Sequence, residues 1–180
     1  MGNSVVFARS EQVEILRNAI EMEIDGRKFF SEMAERVKHT STRDMYLALA
    51  RQEDRHIEVL EEQLKRLESG SDWTSPSTVK RSREAVPKVS VFGTRERDGY
   101  EIDPKAGELE VVQFGMEIER RSIEYYRKAG AEVKGAKAKE VFNWLVGEEA
   151  GHLTILKAEY DNRSRSGFYF DAPEFSLEVM

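Results

Sequence analysis

Apolar residues recur at spacings of three and four along most of this chain, which is the pattern of amphipathic α-helices. Four such stretches predict helices over residues 11–37, 42–68, 103–133 and 136–160. Ser10 and Ser41 are placed to cap the first two helices, because a serine side chain accepts a hydrogen bond from the first helical turn. Asp103 followed by Pro104 predicts the start of the third, since proline is favoured at the first helical position.

Short links predict that these helices form two antiparallel hairpins, over residues 11–68 and 103–160. The connection between them, residues 69–102, carries Ser, Pro, Gly and scattered charge without a helical period. We therefore expect a long crossover, with a short strand over residues 89–92. The predicted fold is all-α, a four-helix bundle over residues 1–162, and the extension at residues 163–180 is expected to pack on the bundle or on a partner subunit.

The apolar stripe of each helix is interrupted near its middle by a glutamate, and in the second and fourth helices a histidine follows three residues later. These six positions are Glu23, Glu53, His56, Glu119, Glu149 and His152. Residues three apart share one face of a helix, so each Glu-x-x-His pair can reach the same ion.

The two hairpins repeat each other. An offset of 96 residues relates Glu23 to Glu119, and the same offset relates Glu53 to Glu149 and His56 to His152. Two copies of one hairpin facing each other across a pseudo-two-fold axis would bring all six polar side chains to one level of the bundle.

Four carboxylates at that level need a partner, because each unpaired buried charge costs several kcal/mol. The only base on the inward stripes is Arg27, whose long side chain can extend to solvent. Two divalent cations would neutralise the four charges, and carboxylate plus imidazole ligands suit iron or manganese better than a structural zinc site. We therefore predict a dinuclear metal centre. The alternative, core histidines beside solvated glutamates, does not account for the shared level and offset.

Composition narrows the function further. The 180 residues contain no Cys, which excludes disulfides, thiolate metal sites and a cysteine nucleophile. A net charge of −6 disfavours a nucleic-acid partner. No apolar run is long enough to span a membrane, and the first residues lack the pattern of a signal peptide, so we expect a cytoplasmic protein without a membrane partner.

The segments around the six residues resemble the rubrerythrin-like branch of the ferritin-like superfamily. They are EIDGRKFF at 23–30, EDRH at 53–56, ERRSIEYY at 119–126 and EAGH at 149–152. The resemblance implies a ferritin-like bundle with two iron ions, for which manganese or zinc can substitute. In such a centre Glu53 and Glu149 bridge the ions, and Glu23, Glu119 and the two histidines are terminal ligands.

The chain departs from that family in two places. Rubrerythrins proper carry a rubredoxin domain with four Cys, which this chain lacks, so the expected electron donor is an external one. They also carry a second glutamate three residues after the third-helix ligand, where this chain has Ser122, so we expect a simpler and more symmetric site.

The resemblance implies a homodimeric oxidoreductase that reduces hydrogen peroxide or dioxygen, with no catalytic residue beyond the metal ligands. Three alternatives stay open: ferroxidation with iron storage or transfer, oxygenation of an organic substrate, and a non-catalytic metal-binding bundle. Tyr126 and Tyr46 lie on the inward stripes, and two interpretations of them stay open. In one, the hydroxyl donates a hydrogen bond to a ligand carboxylate; in the other, the tyrosine is an ordinary core residue. Glu148 is expected at the surface or between subunits, and Trp144 in packing.

Overall fold

The computed structural model describes residues 2–80, 106–164, 168–169 and 172–173, with side chains for residues 9–80 and 106–164. Its four helices are α1 (Gly2–Arg36), α2 (Thr40–Glu68), α3 (Glu108–Glu132) and α4 (Ala136–Ser164). A 3₁₀ turn, Pro76–Thr78, follows α2. Two short strands, β1 (Phe168–Tyr169) and β2 (Ala172–Pro173), pair antiparallel after α4. The predicted all-α four-helix bundle is thus confirmed.

The first two helices begin earlier than predicted, α1 by nine residues and α2 by two. α1 already includes Ser10, so this serine does not cap it. α2 begins at Thr40 with His39 as its N-cap, because the carbonyl of His39 accepts a 2.9 Å hydrogen bond from the N–H of Arg43 and closes the first turn ahead of Ser41.

The third helix also begins later than predicted. Gly107 is its N-cap, in an extended conformation, and its N–H donates a 2.8 Å hydrogen bond to the carboxylate of Glu110. That bond satisfies a backbone donor that would otherwise lack an intrahelical partner. The predicted cap at Asp103 and Pro104 lies outside the described residues, as does the strand predicted over residues 89–92.

The fourth helix runs past its predicted end, up to Ser164. Arg163 lies in this last turn and donates 2.8 Å hydrogen bonds to Glu159 on its own helix and to Glu108 at the start of α3. These contacts tie the end of α4 to the bundle, so the extension begins later than residue 163. The prediction that it packs on the bundle or a partner stays a prediction.

Two glycines end or separate helices where the sequence places them. Gly70 follows α2 with φ of 83°, and Gly135 lies between α3 and α4 with φ of 104°. This left-handed region is open to glycine and strained for residues with a side chain. The hairpins that result pack α1 against α2 and α3 against α4.

The core consists of two apolar clusters, one at each end of the bundle. The first contains Leu16, Leu60, Tyr126 and Leu145, among others, and the second contains Phe30, Leu49, Val112 and Leu156. Along α1 and α4 the chain passes from the first cluster to the second, and along α2 and α3 it passes the other way. The end of α2 and the start of α3 therefore lie at opposite ends of the bundle, and the six polar positions lie between the clusters.

None of the described helices is both long enough and apolar enough to cross a membrane.

Candidate metal centre

The six side chains predicted to meet do so in the middle of the bundle. Each is at most 3% exposed, and each of the four helices contributes one glutamate. The two hairpins supply three residues apiece, Glu23, Glu53 and His56 from the first and Glu119, Glu149 and His152 from the second. The repeated spacing in the sequence therefore corresponds to one shared level in the structure, and the role of these residues as ligands stays a prediction.

Three carboxylates from three helices surround the Nδ1 atom of His56. It lies 3.2 Å from Glu23 Oε2, 3.0 Å from Glu53 Oε2 and 3.3 Å from Glu149 Oε1. We call this group the Glu23 half-site.

A second group of the same composition surrounds His152. Its Nδ1 atom lies 3.2 Å from Glu53 Oε1, 3.0 Å from Glu149 Oε2 and 3.6 Å from Glu119 Oε1. We call it the Glu119 half-site. The two imidazole rings stack with centroids 5.3 Å apart.

Glu53 and Glu149 belong to both half-sites and face each histidine with a different oxygen. In each half-site one atom from every residue lies within 4.8 Å of the others, which is close enough for all four to surround one cation. A carboxylate with one oxygen in each half-site is placed to bridge two ions, whereas Glu23 and Glu119 each reach one. This division matches the bridging and terminal roles implied by the resemblance.

Several of these atoms are buried without a hydrogen-bond partner. They are both oxygens of Glu149, Oε1 of Glu119, both ring nitrogens of His152 and Nε2 of His56. Unpartnered buried polar atoms are rare in folded proteins, because each costs the free energy of its lost hydration. A cation bound between them would satisfy these atoms, and carboxylate oxygen plus imidazole nitrogen is a donor set that suits iron. The residues present therefore fit a metal.

Burial and the neighbouring charges shift the pKa values of the cluster in different directions when no metal is bound. Burial, reinforced by the neighbouring carboxylates, raises the pKa of Glu23 and of Glu119 well above the usual value of 4.5. Burial opposes charge on the other two glutamates as well, but the pKa of Glu53 is lowered by its contacts with Glu23 and the two histidines, and that of Glu149 by the two histidines.

The histidines take up the complementary protons. Burial disfavours the imidazolium form, but the adjacent carboxylates outweigh it, raising the pKa of His56 well above 6.5 and that of His152 to about 12. The raised pKa values of the two histidines and of Glu23 and Glu119 all favour proton binding by the metal-free cluster, which offsets the negative charge of its carboxylates.

The two tyrosines on the inward stripes have different environments. The fully buried hydroxyl of Tyr126 donates a short hydrogen bond to Glu23 Oε1. The hydroxyl of Tyr46 has no hydrogen-bond partner among the described residues, and its ring stacks on Phe30 with centroids 6.1 Å apart. Helical side chains lean toward the helix N-terminus, so Tyr126, which follows Glu119, leans toward the site and Tyr46, which precedes Glu53, leans away. The core interpretation therefore applies to Tyr46.

Glu148 and Trp144 also lie against the site. From the sequence, the first is expected at the surface or between subunits and the second in packing. Glu148 Oε2 is 3.8 Å from His56 Nε2. The indole of Trp144 meets the His56 ring edge-on, with centroids 5.3 Å apart. The sequence contains part of the signal for Glu148, because this residue precedes Glu149 and is therefore rotated from it by about 100° around α4. In the structure this rotation turns Glu148 toward His56 on the neighbouring α2.

Comparisons with known proteins found a family model and a solved structure that are similar to this chain. The family model for rubrerythrin matches residues 14–160, a span that includes all six candidate ligands. A solved structure of the hypothetical protein Pfu-1136390-001 from Pyrococcus furiosus is similar, with 25% identity and a TM-score of 0.64. That similarity covers 88% of this chain and 93% of the other. No curated protein matches the chain.

Proposed function

This chain belongs to the rubrerythrin family, and we propose that its buried cluster binds two iron ions and that the protein reduces hydrogen peroxide or dioxygen. The observation that carries the proposal is the pair of overlapping half-sites that share Glu53 and Glu149. A single ion would use one half-site and leave the unshared glutamate and histidine of the other buried without a cation.

The charge of the cluster supports two ions. Two divalent cations carry the positive charge that four ionised glutamates require, while both histidines are neutral. Binding would therefore displace protons from the groups whose pKa is raised, as expected when ligands must be deprotonated to bind a metal.

When bound, two ferrous ions supply the two electrons that hydrogen peroxide needs, together with two protons, to become two molecules of water. The chain itself contributes placement and exclusion of water. Tyr126 holds Glu23 through its hydroxyl, and the apolar clusters on both sides keep the six side chains buried. Such a dry, fixed environment strengthens every charge interaction at the site.

Electrons must come from outside the chain. The sequence has no Cys, so it has no thiolate iron centre to act as a relay. We propose a separate reductant and, from the resemblance, a homodimer in solution.

Metal stoichiometry of two ligand variants tests the proposal. Titration of metal-free wild type with Fe(II) under argon is expected to bind two ions per chain. Glu23→Ala should retain one tightly bound ion, because it removes a ligand from one half-site, whereas Glu53→Ala should weaken both. Glu117→Ala, on the exposed side of α3, is the control and should bind like wild type.

Activity is tested on the same samples. Wild type loaded with Fe(II) should consume peroxide or dioxygen faster than the same concentration of free Fe(II). Binding of no metal would refute the dinuclear site. Binding of two ions without faster consumption would leave a non-catalytic bundle, and a large shell in sedimentation that retains many more ions per chain would favour iron storage.

A further inference from the structure

The outer nitrogen of His56 faces a carboxylate that is not one of the candidate ligands. Nδ1 points at the three glutamates of the Glu23 half-site, and on the other side of the ring Glu148 Oε2 lies 3.8 Å from Nε2. The Glu148 side chain is 38% exposed and projects from α4, one residue before the shared ligand Glu149.

The positively charged side chains near Glu148 pair with other groups and not with its carboxylate. Arg55 donates hydrogen bonds of 3.0 and 2.8 Å to the carbonyls of Pro76 and Val79, and one of 3.2 Å to Glu58. Lys137 pairs with Glu140 at 3.0 Å. Among the described residues no lysine or arginine forms an ion pair with Glu148. Its carboxylate is free to turn toward His56.

Glu148 also stands between His56 and water. With Arg55 and Trp144 it lines a surface pocket of about 510 Å³. The Trp144 ring covers the edge of the imidazole. The outer side of His56 is therefore close to solvent, with one carboxylate at the boundary.

The Glu119 half-site lacks an equivalent carboxylate. Neither outer ring nitrogen has a hydrogen-bond partner among the described residues. They differ in that Glu148 lies 3.8 Å from His56 Nε2, whereas no aspartate or glutamate oxygen of the described residues lies within 4 Å of His152 Nε2. The repeat offset places Gln52, a neutral residue, where the second hairpin has Glu148. The difference is thus already present in the sequence of the two hairpins.

We propose that Glu148 is a positioning residue for His56, accepting a hydrogen bond from its Nε2–H and making the Glu23 half-site the tighter of the two metal sites. A neutral imidazole that binds metal through Nδ1 must carry its proton on Nε2, and a carboxylate acceptor there fixes that tautomer and makes the ring a stronger ligand. A shift of about 1 Å brings the two atoms within the usual hydrogen-bond distance, and the exposed end of Glu148 allows it.

This inference rests on the proposed metal centre, and Co(II) tests both separately. Metal-free wild type, Glu148→Gln and Glu140→Gln are titrated with Co(II) and followed by visible absorption. Glu140→Gln is the matched control, since it removes the same charge from the same pocket without touching His56. Loss of an outer partner of a ligand histidine costs roughly 10- to 100-fold in metal affinity. We expect Glu148→Gln to weaken the tighter binding step by this factor and to leave the other within twofold.

The proton NMR spectrum of the Co(II)-loaded proteins separates a contact between Glu148 and His56 from a general structural role of Glu148, which would leave the histidine signals unchanged. Each ligand histidine contributes one shifted, exchangeable ring N–H signal. In Glu148→Gln one of the two signals should move and exchange faster with water, and in Glu140→Gln neither should.

The possible failures are distinguishable. Wild type that binds no Co(II) would overturn the metal centre and this inference with it. Two bound ions with both steps and both signals unchanged in Glu148→Gln would overturn the role of Glu148 alone. Equal weakening of both steps would also overturn it, since that pattern indicates loss of charge rather than of a contact to one histidine.

Discussion

At the scale of single residues, the two hairpins are similar in their candidate ligands and different in what supports those ligands. The ligand positions repeat identically, but the offset of 96 pairs Tyr126 with Phe30 and Glu148 with Gln52. Tyr126 and Glu148 both lie beside the Glu23 half-site, Tyr126 hydrogen-bonded to Glu23 and Glu148 3.8 Å from His56. The expectation of a symmetric site therefore applies to the six candidate ligands and not to their neighbours.

The two buried tyrosines make a matched pair of variants. Tyr126→Phe should lower the free energy of unfolding of the metal-free protein by about 1–2 kcal/mol, because it leaves a buried oxygen of Glu23 without its donor. Tyr46→Phe removes a hydroxyl that has no partner, so it should leave stability unchanged or raise it. Urea unfolding of both variants checks this. A Tyr46→Phe loss as large as that of Tyr126→Phe would contradict the assigned contacts.

At the scale of the helices, glycines within α3 and α4 differ in the space around them. A Cβ added to Gly147 would meet no atom within 4 Å. One added to Gly115 would lie 3.3 Å from the Phe29 ring and 3.4 Å from Leu156. Packing therefore does not require a glycine at position 147, whereas Gly115 lets α3 approach its neighbours closely.

Alanine at each position tests this difference. Gly147→Ala should raise the free energy of unfolding by about 0.5–1 kcal/mol, since alanine loses less backbone entropy in a helix. Gly115→Ala gains the same entropy term but must push apart Phe29 and Leu156, so it should be less stable than Gly147→Ala and no more stable than wild type. Thermal unfolding of the metal-free variants measures both. A clear gain from Gly115→Ala would show that the contact is looser than described.

At the scale of the whole molecule, the site lies between the two apolar clusters that stabilise the bundle, so the charge of the site and the stability of the fold are linked. Without metal, burial and the neighbouring charges favour the neutral form of Glu23 and Glu119 and the charged form of the two histidines. Folding then favours proton uptake by His56, His152, Glu23 and Glu119, whose pKa values are raised in the folded protein.

Stability of the metal-free protein should therefore fall as the pH rises. A group whose pKa is raised on folding stabilises the fold fully below its unfolded pKa and loses that contribution as the pH approaches the folded pKa. For His152 this window runs from 6.5 to about 12. Each such group contributes at most about 1.4 kcal/mol per pH unit. Urea unfolding between pH 6.5 and 9 should show the decrease, and metal-loaded protein should show less of it. Stability that rises over this range would contradict the proton assignment.

Much of this fold could be predicted from the sequence because its signals are local and periodic. The inward stripes, the glycines at 70 and 135 and the offset of 96 predicted the helices, the hairpins and the meeting of six polar residues. Helix starts were less accurate, since Ser10 and Ser41 are good capping residues that the backbone does not use as caps. Which residue caps a helix depends on the path of the chain before it, as Gly107 and Glu110 show.

The sequence by itself determined that four glutamates and two histidines occupy inward positions, because helical periodicity assigns each residue to a face and the repeat sets a common level. Only the tertiary structure decided which oxygen faces which histidine, that the Tyr126 hydroxyl bonds Glu23 on another helix, and that Glu148 on α4 lies beside His56 on α2. These are contacts between helices that are distant in sequence. The lean of a helical side chain follows from the chain direction, but which side chain of another helix it meets depends on how the helices are rotated against each other, and no spacing along a single helix encodes that.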